Sequence, residues 1–345
     1  MEKMKSTSFQ TRRNALRTAA AAIAAPAIVA CGGGGSSFST FAQSAPASVT
    51  QALADFAKLA PDTTGALVRA DVPLAPWSAG QGQDRKLFIA SSVKTFILAQ
   101  FLRDSEAGRN GITGTSPVEL SDLYRSPGSS VLGQLSGTSN YRTALEAMIS
   151  HSDNMGTDIA LAQVGPDRVR ALIAQAGLTQ TQIPDSTRRL FSYLLGAPIG
   201  VDLGWAAMNG DNSGLTARTD VINPNESMLS SANDMVSWYQ QVLTGKFFQK
   251  PATTREFKRI SAMADALWIV APEDTIAYGK GGSIDWEGFH ALCVAGQMRY
   301  KDVPVSFCFT LNWTGGTATS ITRVGEFGEV TSKVLAAVAD ALRAG

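Results

Sequence analysis

The chain contains 345 residues, 44% of them hydrophobic, and its 30 lysine and arginine residues nearly balance its 29 aspartate and glutamate residues. Nucleic-acid-binding proteins normally carry a basic excess or patch, so this balance argues against that class. The two histidines and three cysteines show no metal-ligand spacing, and we expect neither a metal site nor a cofactor.

Residues 1–30 have the composition of an export signal. Arg12 and Arg13 form a twin-arginine pattern, and the apolar stretch that follows them is shorter than the roughly 20 residues of a membrane span. The stretch ends at Cys31 in the pattern of a lipoprotein cleavage site, and residues 31–48 form a Gly/Ser-rich tether. We expect an exported, periplasmic protein that touches the membrane only through a lipid on Cys31. An ordinary secretory signal with a chance cysteine is the alternative.

Removal of residues 1–30 also changes the charge of the protein. That segment holds five basic residues and one acidic residue, so the remainder carries 25 positive and 28 negative side chains, a net charge of −3. The slight basicity of the full sequence belongs to the signal, and nothing in the remaining charge indicates a polyanionic partner.

Hydrophobic periodicity predicts a mixture of helices and strands after the tether. The predicted helices cover residues 49–60, 92–104, 142–150, 153–164, 166–177, 232–243 and 324–343. The predicted strands cover residues 64–70, 86–90, 275–278, 289–300 and 303–313. Residues 73–84 are rich in turn-forming residues, and residues 191–225 show no readable periodicity.

The order of these elements predicts the organisation of the protein. Strands lie near both ends of the chain and helices lie between them, which suggests one α/β layer and one helical layer. We therefore assign residues 49–90 and 270–345 to an α/β subdomain, and residues 91–269 to a helical subdomain.

Cys293 and Cys308 lie on the last two predicted strands, which are joined by a turn at residues 301–302. A turn centred between Tyr300 and Lys301 would place the two cysteines opposite each other. In an exported protein they could then form a disulfide. Two buried free thiols in core strands are the alternative, because cross-strand register is hard to fix from sequence.

Ser91 and Lys94 are the first candidates for chemistry. They place a hydroxyl and an amine three residues apart at the start of an apolar helix, where both side chains lie on one face. Serine alone is a poor nucleophile, and a neighbouring amine of lowered pKa can remove its proton. The field of the helix N-terminus favours developing negative charge and helps to keep Lys94 neutral.

Two further short patterns accompany this pair. Ser152-Asp153-Asn154 opens a predicted helix, and all three residue types are good N-caps. Lys280-Gly281-Gly282-Ser283 follows a predicted strand and has the composition of a glycine turn. When either pattern stands alone, local structure explains it at least as well as function does.

Together, and in this order, the three patterns resemble the motifs of class A β-lactamases and penicillin-binding proteins, which are Ser-x-x-Lys, Ser-Asp-Asn and Lys-(Thr/Ser)-Gly. The resemblance covers most of residues 62–342. It implies an α/β fold in which an antiparallel β-sheet is flanked by N- and C-terminal helices, with a helical subdomain beside it. It also implies a serine hydrolase that forms an acyl-enzyme with a small-molecule substrate.

The resemblance assigns roles in proton transfer to four residues. Ser91 would be the acylated nucleophile, and Lys94 would be its base or proton relay. Ser152 would pass a proton to the leaving nitrogen of the substrate. Lys280 would tune Ser152 electrostatically.

The resemblance also implies groups that hold the substrate. Asn154 would bind both Lys94 and the substrate amide. The backbone N–H groups of Ser91 and Ser283 would form the oxyanion hole, with Gly282 beside it. Each such donor commonly contributes about 3 kcal/mol to the stabilisation of the transition state.

One departure from the family pattern concerns deacylation. Class A enzymes carry a Glu that activates the deacylating water, and in this chain that position falls near Thr187. Asp185 is the nearest acid and the candidate substitute, on a side chain one carbon shorter. Glu226 has the family's spacing to a following leucine, but it lies far along the chain from the expected point. Without a placed carboxylate, deacylation needs another base or the acyl-enzyme persists.

A second departure is Gly281, where the family has Thr or Ser. That hydroxyl helps to bind the carboxylate of a β-lactam or a D-Ala peptide, and losing a hydrogen bond to a charged group costs about 1.5–3 kcal/mol. Either Ser283 compensates, or the substrate carries no carboxylate there. Residues 191–225 also lengthen the stretch between the second and third motifs, and we expect them to form a loop that reshapes the pocket.

These observations leave three hypotheses for the function. The first is a β-lactamase-like hydrolase that acts on a β-lactam or a related amide or ester. The second is a D-Ala peptidase or an esterase-like hydrolase, and the third is a protein that binds penicillins or cell-wall fragments without turnover. The Gly-x-Ser-x-Gly pattern of α/β-hydrolases does not occur, and neither His151 nor His290 suits a histidine-dependent triad. The sequence does not define the oligomeric state.

Overall fold

The computed structural model describes residues 43–210 and 214–344. The predicted signal, Cys31 and most of the predicted tether lie outside these residues. The strands of the described part are β1 (Thr64–Ala70), β2 (Trp77–Gln81), β3 (Leu87–Phe88), β4 (Pro117–Leu120), β5 (Gly137–Asn140), β6 (Leu229–Ser230), β7 (Ile276–Trp286), β8 (Phe289–Tyr300) and β9 (Val303–Thr314).

The helices of the described part begin and end the fold and also lie between its strands. They are α1 (Ala47–Ala57), α2 (Lys94–Glu106), α3 (Tyr141–Ser150), α4 (Asn154–Val164), α5 (Pro166–Gln175), α6 (Thr187–Leu194), α7 (Gly204–Asn209), α8 (Ala232–Leu243), α9 (Pro251–Ser261), α10 (Leu267–Val270) and α11 (Thr317–Ala344). Within the described residues, no helix combines the length and the apolar character needed to cross a membrane.

Five antiparallel strands form the main sheet in the order β2-β1-β9-β8-β7. The first and last helices cover one face, where the Phe56 ring of α1 lies 5.3 Å from Phe309 of β9 and 5.8 Å from Phe327 of α11. Helix α8 packs against the sheet through β1, β8 and β9. Strand β7 is the last strand in this order, so it is an edge strand, and its unpaired edge borders the helical layer.

Helix α2 is the centre of the helical layer. Its first nine residues are all buried, so it shows no polar face. The Phe96 ring lies 4.7 Å from the Trp238 ring of α8, and the Trp238 indole N–H donates to Thr95 Oγ1 at 3.0 Å. A helix that is buried on every side is stable only inside a protein, and this one is held between the sheet and the other helices.

The predicted fold class is confirmed, because helices from both ends of the chain flank one antiparallel sheet. The predicted strands at 64–70 and 289–300 and the predicted helix at 232–243 coincide with β1, β8 and α8. The strand β2 was predicted as turn-rich sequence, which was wrong. Its alternation is hidden by glycine and short polar residues, and pairing with β1 sets its conformation.

The predicted end of the strand before Lys280 was also wrong. Strand β7 runs through Lys280, Gly281 and Gly282 to Trp286, paired with β8 along its whole length. The two glycines are adjacent because neighbouring atoms leave no room for side chains, and they do not form a turn.

The predicted register of the last hairpin was wrong by two residues. Tyr300 pairs with Val303, so Cys293 lies opposite Thr310, and Cys308 lies opposite Ala295. A two-residue loop must stand between the last paired residues, and Lys301 takes up this turn with a φ of 51°. Both thiols are free and buried on neighbouring strands.

Candidate active site

The nucleophile candidate Ser91 lies on a single 3₁₀ turn, Ala90–Val93, that precedes α2. The regular helix α2 begins at Lys94, two residues after the predicted start, because residues 90–93 form the 3₁₀ turn, and Ala90 at its start has a φ of 46°. For a non-glycine residue such a conformation costs about 1–3 kcal/mol and is typical of functional sites. The turn is held by the Ile89 N–H, which donates to Met228 O at 2.9 Å, and by Ser92 Oγ, which donates to Lys280 O at 3.2 Å.

Lys94 is fully buried and connects the first motif to the second. Its Nζ contacts Ser152 O at 2.6 Å, Ser152 Oγ at 3.2 Å and Asn154 Oδ1 at 2.7 Å. A neutral amine donates two hydrogens and keeps one lone pair, whereas an ammonium donates three. The three contacts therefore suit both states of Lys94, which is what a residue that gains and loses a proton needs.

Two buried amines lie near each other at this point. Burial and the charge of Lys280 lower the pKa of Lys94 well below its usual value, against the opposite effect of Asp153, Asp158 and Asp265. Burial lowers the pKa of Lys280 to about 8, while Asp265 acts in the opposite direction. The site therefore favours a neutral Lys94 beside a Lys280 that is charged near neutral pH.

The Ser-Asp-Asn motif is fixed by its central carboxylate. Asp153 caps α4 by accepting from the Gly156 N–H at 2.8 Å, and its other oxygen accepts from the N–H groups of Val131 and Leu132 at 2.8 and 2.9 Å. Ser152, just before it, has a φ of 58°. The predicted N-cap is therefore real, but it also holds the preceding serine in a strained conformation that turns its side chain towards Lys94.

Strand β7 completes the site from the other side. A Cβ built at Gly282 would overlap the Ile89 carbonyl oxygen and lie 2.7 Å from the Ser91 nitrogen, so the strand touches the nucleophile turn directly. Ser283 follows it and is exposed. Lys280 Nζ donates to Gly281 O at 2.7 Å. A Cβ at Gly281 would overlap Ala266 Cβ, which accounts for the missing Thr or Ser at this position.

The sequence analysis missed Asp158, which lies one turn of α4 after Asn154. Its carboxylate accepts from the N–H and the hydroxyl of Thr187, both at 2.7 Å, and from the Arg188 N–H at 3.1 Å. Burial raises the pKa of Asp158 to about 6, against the hydrogen bonds from Thr187 and Arg188. The helical spacing from Asn154, on a helix whose start was predicted, is the signal that could have found it.

Asp185 and Glu226, the two acids weighed for deacylation, lie together around two arginines. Asp185 accepts from Arg170 at 2.5 Å and from Arg189 at 3.1 Å. Glu226 is buried and accepts from Arg189 at 2.6 Å. Both acids border a cavity of about 310 Å³. Thr187, by contrast, contacts the carboxylate of Asp158 and the main-chain oxygen of Asn154.

Residues 191–225 contain the end of α6 and helix α7. Phe191, one turn after Thr187, meets Trp286 at the end of β7 edge-on with ring centroids 6.4 Å apart. The Trp286 indole N–H donates to Arg218 O at 2.9 Å. The segment is thereby attached to the strand that carries the third motif, at the end of β7 beyond Gly282 and Ser283.

The two histidines lie apart from these contacts. His151 is exposed and its Nδ1 lies 2.8 Å from Ser150 Oγ. His290 is buried on β8, where its Nε2 lies 2.8 Å from Gly315 O and its ring stacks on Trp313. The site thus presents two serines, two lysines and an asparagine, and the amine of Lys94 rather than an imidazole contacts Ser152 and Asn154.

Comparison with known proteins agrees with this arrangement. Residues 48–285 match the model of the Beta-lactamase2 family, described as a beta-lactamase enzyme family. A search of curated proteins finds no significant match. The matched region spans more than half of the chain and includes all three motifs.

Solved structures with the same fold include several β-lactamases. The β-lactamase from Chitinophaga pinensis superposes with a TM-score of 0.65 at 17% identity, covering 85% of this chain and 99% of the other. PBP-A superposes with a TM-score of 0.62 at 15% identity, covering 84% and 96%. A PBP-A variant with a leucine-to-glutamate substitution, solved as an acyl-enzyme complex with penicillin G, gives 0.60 at 15% identity, covering 84% and 96%.

The matched family model and the shared fold therefore indicate a serine hydrolase of the β-lactamase-like type. With its family model matched over residues 48–285, the chain belongs to the beta-lactamase enzyme family.

Proposed function

We propose that the protein is an acyl-transferring serine hydrolase that is acylated on Ser91 by a β-lactam or a related amide or ester. The observation that carries the proposal is the position of the buried Lys94 amine, which is hydrogen-bonded to Ser152 and Asn154. Lys94 lies three residues after Ser91, the accessible serine. A neutral amine so placed can accept the proton of the serine hydroxyl, which is the requirement for nucleophilic attack.

In the first half-reaction, Ser91 Oγ attacks the substrate carbonyl and forms a C–O bond, and its proton passes to Lys94 Nζ. The carbonyl oxygen gains the negative charge, and the N–H groups of Ser91 and Ser283 are the candidate donors to it. The resulting Lys94 ammonium donates to all three of its acceptors. Fixed acceptors at this point stabilise the charge as it forms.

Collapse of this intermediate breaks the bond between the carbonyl carbon and the leaving group. Ser152 Oγ, 3.2 Å from Lys94 Nζ, gives its proton to the leaving nitrogen or oxygen and regains one from Lys94. The charge of Lys280 favours the transient alkoxide of Ser152. The products are an ester on Ser91 and a neutral leaving group, with Lys94 again neutral.

We further propose that deacylation is slow. The position expected to hold the water-activating Glu is Thr187, whose hydroxyl is engaged by Asp158. Asp185 is engaged by two arginines. A variant of PBP-A, which has the same fold, has been solved as an acyl-enzyme complex with penicillin G, so this fold can hold a penicillin adduct. A long-lived adduct would make the protein a binder of penicillins or cell-wall fragments rather than an efficient β-lactamase.

The test is a time course of intact mass after mixing protein that lacks residues 1–31 with penicillin G or a chromogenic cephalosporin. Addition of one ligand mass to the native protein but not to a Ser91→Ala variant supports acylation. Release of product at the rate of acylation would support a β-lactamase. No adduct and no product with either compound would contradict the proposal for β-lactams, and p-nitrophenyl esters would then test the esterase alternative.

We also propose that the protein is exported by its twin-arginine signal and anchored by a lipid on Cys31. The support is the order of Arg12, Arg13, the apolar stretch and the cysteine in the sequence. Replacement of Cys31 by Ser should move the protein from the membrane fraction to the soluble periplasm. Replacement of both arginines by Lys should keep it in the cytoplasm. An unchanged distribution in both variants would contradict the proposal.

A further inference from the structure

The substrate class can be narrowed from the charges and the space around β7. We infer that the site accepts neutral amides or esters and disfavours substrates that carry a carboxylate on the leaving-group side of the reacting carbonyl. The inference rests on the proposed acylation of Ser91, and it is carried by what surrounds Lys280 and Gly281.

The first observation is the balance of charge. The carboxylates of Asp153, Asp158 and Asp265 all act on Lys94, and the only amines among these interacting groups are Lys94 itself and Lys280. With Lys94 neutral, as the proposed attack requires, one cation faces three carboxylates. A substrate carboxylate brought close to Lys94 would meet the same three carboxylates, which costs electrostatic energy at short range.

The second observation is that the one cation is already engaged. Lys280 is 1% exposed, and its Nζ donates to Gly281 O at 2.7 Å. Burial also lowers its pKa to about 8. One of its three hydrogens is therefore bound to the main chain, and its burial leaves it little surface to present to a carboxylate on the substrate.

The third observation is that the place of a hydroxyl donor is occupied. A Cβ at Gly281 would overlap Ala266 Cβ, so a Thr or Ser there has no room while Ala266 stays in position. Ala266 cannot easily withdraw, because Asp265 N donates to Ser150 O at 3.3 Å and Leu267 of the same segment is buried. The methyl group of Ala266 replaces a hydrogen-bond donor with an apolar surface.

These three features act in the same direction. Apart from the exposed hydroxyl of Ser283, a carboxylate brought to this edge of β7 would lose its hydration and meet a methyl group and a buried amine. A neutral ester or amide substituent loses less hydration and packs against Ala266 without an unpaired charge. The site is thus selective for neutral substrates because it disfavours anionic ones, and not because it binds a particular charged group.

The test compares a chromogenic cephalosporin with its methyl ester, and each second-order acylation rate constant is divided by the rate of hydroxide hydrolysis of that compound. We expect the ester to react with Ser91 at least tenfold faster on this scale. Faster acylation by the free acid, or equal rates, would overturn the inference while leaving the proposed acylation intact. Failure of both compounds to label Ser91 would instead contradict the proposed function.

A double variant, Gly281→Ser with Ala266→Gly, makes room for a hydroxyl and supplies it. We expect the preference for the ester to fall at least tenfold in this variant, whereas Ala266→Gly alone keeps it, because space without a donor adds no hydrogen bond. Thermal unfolding and labelling of Ser91 by the methyl ester would show that the double variant is folded and active. A folded, active double variant with the native preference would overturn the role of Ala266.

Discussion

Thr187 Oγ1 lies 2.7 Å from Asp158 Oδ2, and this hydrogen bond joins the start of α6 to the middle of α4 beneath the candidate active site. The same hydroxyl lies 3.0 Å from Ser126 Oγ and 3.5 Å from Asn154 O. Both residues of the pair are buried. A threonine thus occupies the position expected for a water-activating acid, and the buried carboxylate of Asp158 is hydrogen-bonded to it.

This relationship predicts how hydrolysis could be restored. In Thr187→Glu alone, the new carboxylate would lie against Asp158, and two buried like charges cannot both ionise. In Thr187→Glu with Asp158→Asn, an ionised Glu faces a neutral amide. We expect deacylation about 10²–10³ times faster in the double variant and little gain in the single variant, since general bases contribute about 10²–10⁴. The lifetime of the acyl-enzyme, followed by intact mass, measures this.

The matched control for that experiment is Thr187→Gln with Asp158→Asn, which has similar volume and no base. It should keep the lifetime of the native acyl-enzyme. Equal acceleration in this control would show that loosening of α6, and not the new carboxylate, admits water.

The rate of acylation should depend on pH in a bell-shaped manner. Lys94 must be neutral, so the rate rises as pH passes the lowered pKa of that amine. Lys280 must be charged, so the rate falls as pH passes about 8, where Lys280 loses its proton. Acylation rate constants between pH 5 and 10 test this. Lys280→Arg, which keeps its charge, should lose the fall above pH 8.

The control for the pH profile is the exposed Lys333, which pairs with Glu329 on α11. Lys333→Ala should leave both limbs in place. If Lys280→Arg keeps the fall above pH 8, then a group other than Lys280 causes it.

The ion pair of Arg189 with Glu226 should be important for stability. The Glu226 side chain is only 2% exposed, and Arg189 contacts it at 2.6 Å. Arg189→Met would leave a buried carboxylate without its cation, and we expect a loss of about 3–5 kcal/mol in the free energy of unfolding. Adding Glu226→Gln should return part of it. Urea unfolding curves measure both effects.

The control for the ion pair is Arg259, whose side chain is 45% exposed and pairs with Glu146 and Glu256. Arg259→Met should cost no more than about 1 kcal/mol, because exposed ion pairs contribute little. Equal losses for Arg189→Met and Arg259→Met would contradict the special role of the buried pair.

Gly282 should tolerate no side chain. A Cβ there would overlap Ile89 O and lie 2.8 Å from the Ser92 nitrogen, so Gly282→Ala must push the nucleophile turn away from β7. We expect the free energy of unfolding to fall by about 1–3 kcal/mol, as at other overpacked sites. The rate constant of acylation should fall by a larger proportion than the stability does. Gly114→Ala, where a Cβ meets only ordinary contacts at 3.6 Å, should change neither property.

The sequence predicted the parts of this protein that depend on local patterns. The apolar run from Phe96 onward identifies a buried helix, and β8 and α8 were found with their observed ends because their periodicity is unbroken. The three motifs were found because each has a fixed spacing, and the structure brings Lys94 into contact with Ser152 and Asn154.

Other parts depend on contacts between distant residues and were not predictable. Nothing local to Gly281 indicates that Ala266 fills the space beside it, and a glycine turn was therefore an alternative explanation of the glycine pair. Asp158 has no motif of its own, and only the fold brings Thr187 to it across 29 residues of sequence. The positive φ of Ala90 likewise has no signal in the local sequence, because alanine seldom adopts it.

Ala90 and Ser152 also limit how this enzyme could be made more resistant to heat. Each holds a left-handed backbone geometry, with φ of 46° and 58°, that only glycine adopts without cost. Exchanging Ala90 for glycine would release about 1–3 kcal/mol of strain but would leave the reactive alcohol on a looser turn. Thermal stability and reactivity are therefore opposed at these two positions. Laboratory selection that raises one property through them would lower the other.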